Sequence, residues 1–339
     1  MPHQNKYTRR HLLASSAVLA AAAQVGPADA TITQEAIDDV ASPNLKGRTV
    51  LITGCSSGFG RLGAQYYARC GARVFATMRN LPREEGDALR AFASDENLSI
   101  EVIELDVLSD ASVQSGVDAV LERTGGTLDV LVNNAGVGVT GPVEAQDMEA
   151  TRLAFETNVY GCQRMVRAVL PAMRAQKSGL IVPISSQIGR LVVPGAGHYC
   201  ATKFALEAMS EQLAYELVAH NIDVSIIQPG GYPTKIWINR NRYTSELKSR
   251  LSEDLLSGYP AMTAAMGKED GTVRSTDPMD IPRAIAAIMA MPDGQRPLRR
   301  AVHPTWRPQE AVNAAMAQSQ RTFLANSPFD AAVRAVQDR

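Results

Sequence analysis

The chain has 339 residues, 45% hydrophobic and 20% charged, with a formal net charge of −1. That composition excludes a disordered or collagen-like chain and supplies ample apolar material for one core. Near-neutrality leaves the whole molecule without the field that draws nucleic acid, so no nucleic-acid partner is expected.

Residues 1–30, MPHQNKYTRRHLLASSAVLAAAAQVGPADA, differ from the rest. Lys6, Arg9 and Arg10 precede an apolar run from Leu12 to Val25, and Ala28-Asp29-Ala30 places small residues where a signal peptidase reads. The run is short of the roughly 20 residues a bilayer requires, so no stable membrane insertion is expected. Arg9-Arg10 after Thr8, with Leu12 and Leu13 following, resembles a twin-arginine export signal. The expected location is periplasmic after export, or cytoplasmic if the segment is retained. A polar linker fills 31–45.

Beyond the linker, apolar runs alternate with helical patterns. RTVLIT (48–53) predicts a strand and 58–70 a helix. RVFAT (73–77), a helix over 82–95, SIEVIEL (99–105), a helix over 110–123 and LDVLV (128–132) follow. The next helix spans 148–176 with an expected break near Pro171, then GLIVPIS (179–185). A helix holding Tyr199 and Lys203 runs to His220 and leads into IDVSIIQ (222–228). Continuous apolar strands alternating with helices imply a parallel sheet covered on both faces. The expected fold is a single-domain α/β, doubly wound parallel sheet of about seven strands spanning 46–304, PLRRAV (297–302) being the last. From 230 to 277 the periodicity dissolves, yet Trp237, Tyr243, Tyr259, Met262 and Met266 fall there. We expect a mobile lid at 231–276 over a lipophilic substrate. A helix resumes at 280–290, and another over 308–325 belongs to a helical extension, 305–339.

The first strand ends in TGCSSGFG, with Gly54, Ser56, Ser57, Gly58, Phe59 and Gly60 in the turn. A glycine-rich turn opening a helix points backbone N–H groups at a pyrophosphate and adds the positive end of the helix dipole. At the end of the second strand Met78 stands where an acid for the adenosine ribose is expected, and Arg79 follows. With no carboxylate to repel a 2′-phosphate and a guanidinium to pair with it, NADP(H) is favoured over NAD(H). Asp106, closing the third strand beside Val107, is placed either to accept from an adenine amino group or to cap the next helix. Tyr199 and Lys203 lie one helical turn apart on one face. Cys55, Cys70, Cys162 and Cys200 show no C-x-x-C or metal-ligand spacing; they read as buried reduced thiols, and no metal is expected.

The Gly54–Gly60 turn, Asn133-Asn134-Ala135-Gly136, Ser186 and Tyr199-x-x-x-Lys203, in that order, resemble the short-chain dehydrogenase/reductase family over about 46–234. TGCSSGFG, ATMRN and YCATKFALEAMSE look closest to the branch of 17β-hydroxysteroid and retinol dehydrogenases. The resemblance implies a Rossmann-like fold and hydride transfer between a nicotinamide and an alcohol or carbonyl. It implies Tyr199 as acid/base, Lys203 lowering its pKa and holding the nicotinamide ribose, and Ser186 polarising the substrate oxygen, at the family spacing of 199 − 186 = 13. Asn158 would support a water relay to Lys203. Asn133, Ala135 and Gly136 would line the cofactor, and Pro229, Gly230 and Thr234 would lie beside the nicotinamide. A homodimer or homotetramer through helices 148–176 and 197–219 is implied by analogy. Two alternatives remain at this point: a non-catalytic NADP(H)-binding sensor or scaffold, and a nucleotide-sugar epimerase or dehydratase, which favours a G-x-x-G-x-x-G turn and a larger C-terminal domain.

Overall fold

The computed structural model describes residues 43–339; the leader and most of the linker lie outside the described residues. Leu45, placed by the sequence in the linker, is already core: it is fully buried and donates its N–H to Cys70 O at 2.8 Å.

Six aliphatic runs become β1 (Thr49–Ile52), β2 (Arg73–Met78), β3 (Ile100–Glu104), β4 (Val130–Asn133), β5 (Gly179–Pro183) and β6 (Ile222–Val224). They form one six-stranded parallel sheet in the order β3-β2-β1-β4-β5-β6. Successive side chains point to opposite faces, and both faces are apolar. Val50, Ile52, Val74, Val130, Val132 and Val182 pack on the side of helix α1 (Gly58–Arg69). Leu51, Phe75, Leu131, Ile181 and Val224 pack on the opposite side, towards α3 (Asp110–Thr124). Between them in sequence lies α2 (Glu84–Asp95). Each such fully buried side chain stabilises by about 1.5–3 kcal/mol, which is why this alternation fixes the register.

Four expectations need correction. The 148–176 helix is interrupted, but not at Pro171. It consists of α4 (Met148–Phe155), a π turn (Glu156–Tyr160) and α5 (Gly161–Gln176), with Pro171 inside α5. The run 222–228 is not one strand. Ser225 separates β6 from β7 (Ile226–Pro229), its N–H bonding Ile181 O at 2.9 Å and its hydroxyl donating to Pro297 O at 2.7 Å. β7 pairs in parallel with β8 (Arg299–Val302) as a two-stranded sheet and touches the main sheet through Ile184 and Ile227, so the main sheet has six strands rather than seven. Helix α6 (His198–Leu217) follows β5 as expected. The segment after residue 230, read as non-periodic, holds α7 (Ile236–Ser249), α8 (Glu253–Gly258) and α9 (Pro260–Ala265). α10 (Asp280–Ala290) and α11 (Gln309–Leu324) stand where expected, but a further helix, α12 (Asp330–Gln337), buries Val333 and Val336.

No described helix is long and apolar enough to cross a membrane. The C-terminus is tied to the sheet by charge. Asp223 on β6 accepts from Arg296 Nη1 at 3.0 Å and Gly294 N at 2.9 Å, and also pairs with Arg339. Arg296 is only 2% exposed, and Asp223→Ala would leave it Asp293, 2.7 Å away, as counter-ion while orphaning a buried N–H. Denaturant unfolding should show a loss of about 1–3 kcal/mol for that variant.

Candidate active site

Strand order reverses between β1 and β4, and the loops leaving their C-terminal ends open a crevice there. Gly54 takes φ +74, and a Cβ on it would lie 2.9 Å from Ala135 Cα. A Cβ on Gly60 would come within 2.5 Å of both Gly54 O and Asn134 Nδ2. Two loops therefore meet backbone to backbone, which only glycine permits. Asn134 locks them: its Nδ2 donates to Thr53 O at 2.8 Å and Gly54 O at 3.1 Å. Thr53 Oγ1 accepts from the N–H of Asn134 and of Ala135, each at 3.0 Å. Ser57 caps α1 without a side-chain hydrogen bond, and the first turn carries no acid, leaving its N–H groups open to an anion. Ser56 lies in the same turn. Phe59 turns its ring edge-on to Tyr232, 5.6 Å away, so its side chain packs while its backbone belongs to the anion turn. Thr234 faces Gly58, 3.5 Å from where a Cβ would stand.

Along the groove, Arg79 is exposed at the end of β2 and donates from Nη2 to the Tyr243 hydroxyl on α7 at 3.3 Å. Asp106 Oδ1 accepts from Leu108 N at 3.0 Å in a local turn, while the cap of α3 is Ser109, whose Oγ accepts from Ser112 N at 3.2 Å. Val107 is buried against Gly161. Asn133 is buried with its Nδ2 unpartnered, and Gly136 abuts Asn158. Pro229 pairs with Val302, and Gly230 presses on the His303 ring, where a Cβ would meet Cδ2 at 2.5 Å. A bare helix N-terminus, a glycine cradle, an orphaned amide and a guanidinium in place of an acid together fit a dinucleotide. No described group of three or more His, Cys, Asp or Glu side chains could hold a metal ion.

At the end of β5 the chain turns at Ser186, which caps a short 3-10 turn by accepting from Ile188 N at 3.3 Å. The Ser186 hydroxyl stands near enough to Tyr199, on the first turn of α6, to act on its phenol. Lys203, one turn on, is 5% exposed and donates from Nζ to Ile184 O at 2.8 Å. Its Nζ lies 5.7 Å from the Tyr199 ring centroid. Asn158 sits in the π turn, fully buried. Its Oδ1 accepts from Val137 N at 2.8 Å, and its Nδ2 donates to Val137 O at 2.9 Å and Thr202 Oγ1 at 3.1 Å. That amide thus holds the β4 loop against α6.

Burial pushes the Tyr199 phenol up to about 12, with Cys200 adding to the rise. The Arg240 charge and the Ser186 hydroxyl act in the opposite sense. Lys203 is pushed down to about 8 by burial, against the pull of Cys162 and Glu207. In the chain without cofactor the phenol is raised, because desolvation outweighs the charges near it.

A family model described as short chain dehydrogenase matches residues 48–244. The chain belongs to that family. Retinol dehydrogenase 8 from Bos taurus is 35% identical over 272 residues, covering 79% of this chain and 85% of that protein. The 17-beta-hydroxysteroid dehydrogenase type 1 of Mus musculus is 39% identical over 193 residues, 56% of this chain and 55% of that protein. A metagenomic short-chain oxidoreductase solved in complex with NADP superposes with a TM-score of 0.60 at 27% identity, covering 78% of this chain and 100% of that one. This short-chain dehydrogenase is therefore an oxidoreductase acting on CH–OH groups with a nicotinamide cofactor.

Sequence reasoning quoted Asn134 but gave it no role, although it is the clamp of the cradle. It also missed Arg240, whose neighbourhood has no periodicity to signal it. All four cysteines of this short-chain dehydrogenase are free and buried, and burial raises the Cys55 thiol to about 12 and Cys162 to about 11. His198 bonds Thr151 Oγ1 at 2.8 Å through Nδ1, away from the chemistry.

The depressed Lys203 has a linkage consequence. Below about pH 8 both folded and unfolded chains hold its proton, and burial of the charge costs stability in full. Between about 8 and the model-compound value of 10.5 the unfolded chain binds more protons, so stability rises with pH. Unfolding of wild type and Lys203→Met across that window should show the wild type gaining on the variant by on the order of 3 kcal/mol.

Proposed function

We propose that the chain transfers hydride between NADP(H) and the alcohol or carbonyl group of a lipophilic small molecule, with Tyr199 as acid/base. The observation that carries this reading is the meeting of Ser186, Tyr199 and Lys203 at the end of β5, beside the glycine cradle. When bound, the nicotinamide supplies or receives the hydride at the carbon of the reacting group. In reduction, the substrate oxygen lies against the Ser186 and Tyr199 hydroxyls, and the Tyr199 proton passes to it. A phenol raised to about 12 is the protonated acid that this direction needs at neutral pH. Lys203 stands one turn away to stabilise the phenolate left behind and to bind the cofactor ribose. Asn158 positions the β4 loop that the nicotinamide would lie against.

Arg79, next to Met78 at the end of β2, supports NADP(H) over NAD(H). One neighbour is described as an NADP complex, and two relatives are named for a retinol and a hydroxysteroid. A homodimer or homotetramer through α4–α5 and α6 accords with the exposed Tyr160 and Phe204 on those elements. Four buried thiols accord with folding in a reducing compartment before twin-arginine export to the periplasm.

In a carbonyl-substrate screen read by cofactor absorbance, NADPH should be oxidised faster than NADH, and Arg79→Ala should raise KM for NADPH more than for NADH. Tyr199→Phe should lower kcat/KM by about 10²–10⁴-fold. A preference for NADH would contradict the role given to Arg79. Cell fractionation with N-terminal sequencing should find a periplasmic chain cleaved after Ala30; an intact Met1 in the cytoplasmic fraction would contradict export.

A further inference from the structure

Helix α7 packs on the loop that follows β4 and reaches Arg79 at the end of β2. At its far end Thr244 Oγ1 accepts from Thr140 N at 3.1 Å, and Leu247 is fully buried beside Val139. One turn nearer its start, Arg240 lays its aliphatic stem on Gly138, where a Cβ would stand 3.0 Å from Arg240 Cγ. Gly138 is two residues beyond Gly136, in the loop that Asn158 holds. Arg240 thus lies on the loop that follows β4, and its charge is felt at Tyr199.

The guanidinium is held stiffly and used sparingly. It stacks on Trp237 at 4.4 Å, and Arg274 stacks on the same ring at 4.1 Å. The indole N–H donates to Tyr232 O at 2.6 Å, so the ring is fixed between two cations and is not offered to a substrate. Among the described residues Glu269 is the sole carboxylate paired with this couple: it accepts from Arg240 Nη2 at 3.1 Å and also pairs with Arg274. Two arginines against one carboxylate leave one positive charge in excess. Arg240 Nε and Arg274 Nε are both buried without a hydrogen-bond partner. A buried, unpaired guanidinium N–H is costly unless a ligand completes it.

We propose that Arg240 recognises a carboxylate on the substrate, which makes the preferred substrates oxo acids or hydroxy acids with an otherwise apolar body. A planar guanidinium with a free buried N–H suits a carboxylate better than a neutral oxygen does. The Trp237 sandwich holds it ready, so little ordering is lost on binding. Arg274 braces the same ring from its place over Gly231, where its Nη1 would meet a Cβ at 2.3 Å. This inference rests on Tyr199 marking the reacting end of the cleft.

The test is a matched series of aliphatic oxo acids, with two to six carbons between ketone and carboxylate, against their methyl esters, with NADPH. Wild type should prefer the best acid over its ester by about 10–100-fold in kcat/KM. Arg240→Gln should abolish that preference, lowering kcat/KM for the acid by about 10–100-fold more than for the ester, and Arg240→Lys should restore part of it. Esters used as well as acids by the wild type would overturn the carboxylate assignment while leaving the oxidoreductase reading intact. Equal losses on acid and ester in a folded Arg240→Gln protein would also overturn it, because Arg240 would then be only a lid brace. No turnover of either series by wild type, together with unchanged cofactor binding in Tyr199→Phe, would overturn the underlying placement of the reaction and this inference with it.

Discussion

A buried ammonium with one main-chain acceptor organises this molecule. Lys203 Nζ reaches Ile184 O at the end of β5, and that bond joins α6 to the sheet. Burial of a lysine is tolerated only where its charge finds compensation. Here the carbonyl supplies part, and the depressed pKa of about 8 measures the remainder. Because α6 is fixed in this way, Tyr199 comes within reach of Ser186, and Thr202 meets the Asn158 amide.

The second constraint is backbone proximity. Gly54 and Gly60 let the β1 turn touch the β4 loop, and Asn134 and Thr53 fasten the contact with hydrogen bonds. The N-terminus of α1, beyond β1, and Ser186, beyond β5, are thereby held at strand ends on either side of β4 in one sheet. Helix α7 brings Tyr243 to Arg79, and the Arg240 charge on the same helix is felt at Tyr199.

Much of this was legible in the sequence, for physical reasons. Strands buried on both faces must read as continuous aliphatic runs, and six such runs became the sheet. Tyr199 and Lys203 were legible because helical spacing forces them onto one face; Ser186 was legible only through its family spacing to Tyr199. What escaped was held by contacts with no period. α7 is fastened by cations stacked on Trp237 and by the Thr140–Thr244 bond rather than by an apolar stripe. The interruption near 156–160 is a π turn carrying Asn158, whereas Pro171 is accommodated inside a continuous helix. α12 shows only Val333 and Val336 as buried anchors and is fixed by polar contacts such as Gln337 to Glu211 at 2.8 Å.

The most direct test of the central arrangement is a crystal structure with NADP bound. The account predicts pyrophosphate on the N–H groups of α1, Lys203 on the nicotinamide ribose, and the ring facing the Tyr199 hydroxyl across a gap that a substrate carbonyl fills, with reacting atoms about 3–3.5 Å apart. A nicotinamide lodged elsewhere, with the Tyr199 hydroxyl opening into a separate cavity, would contradict it.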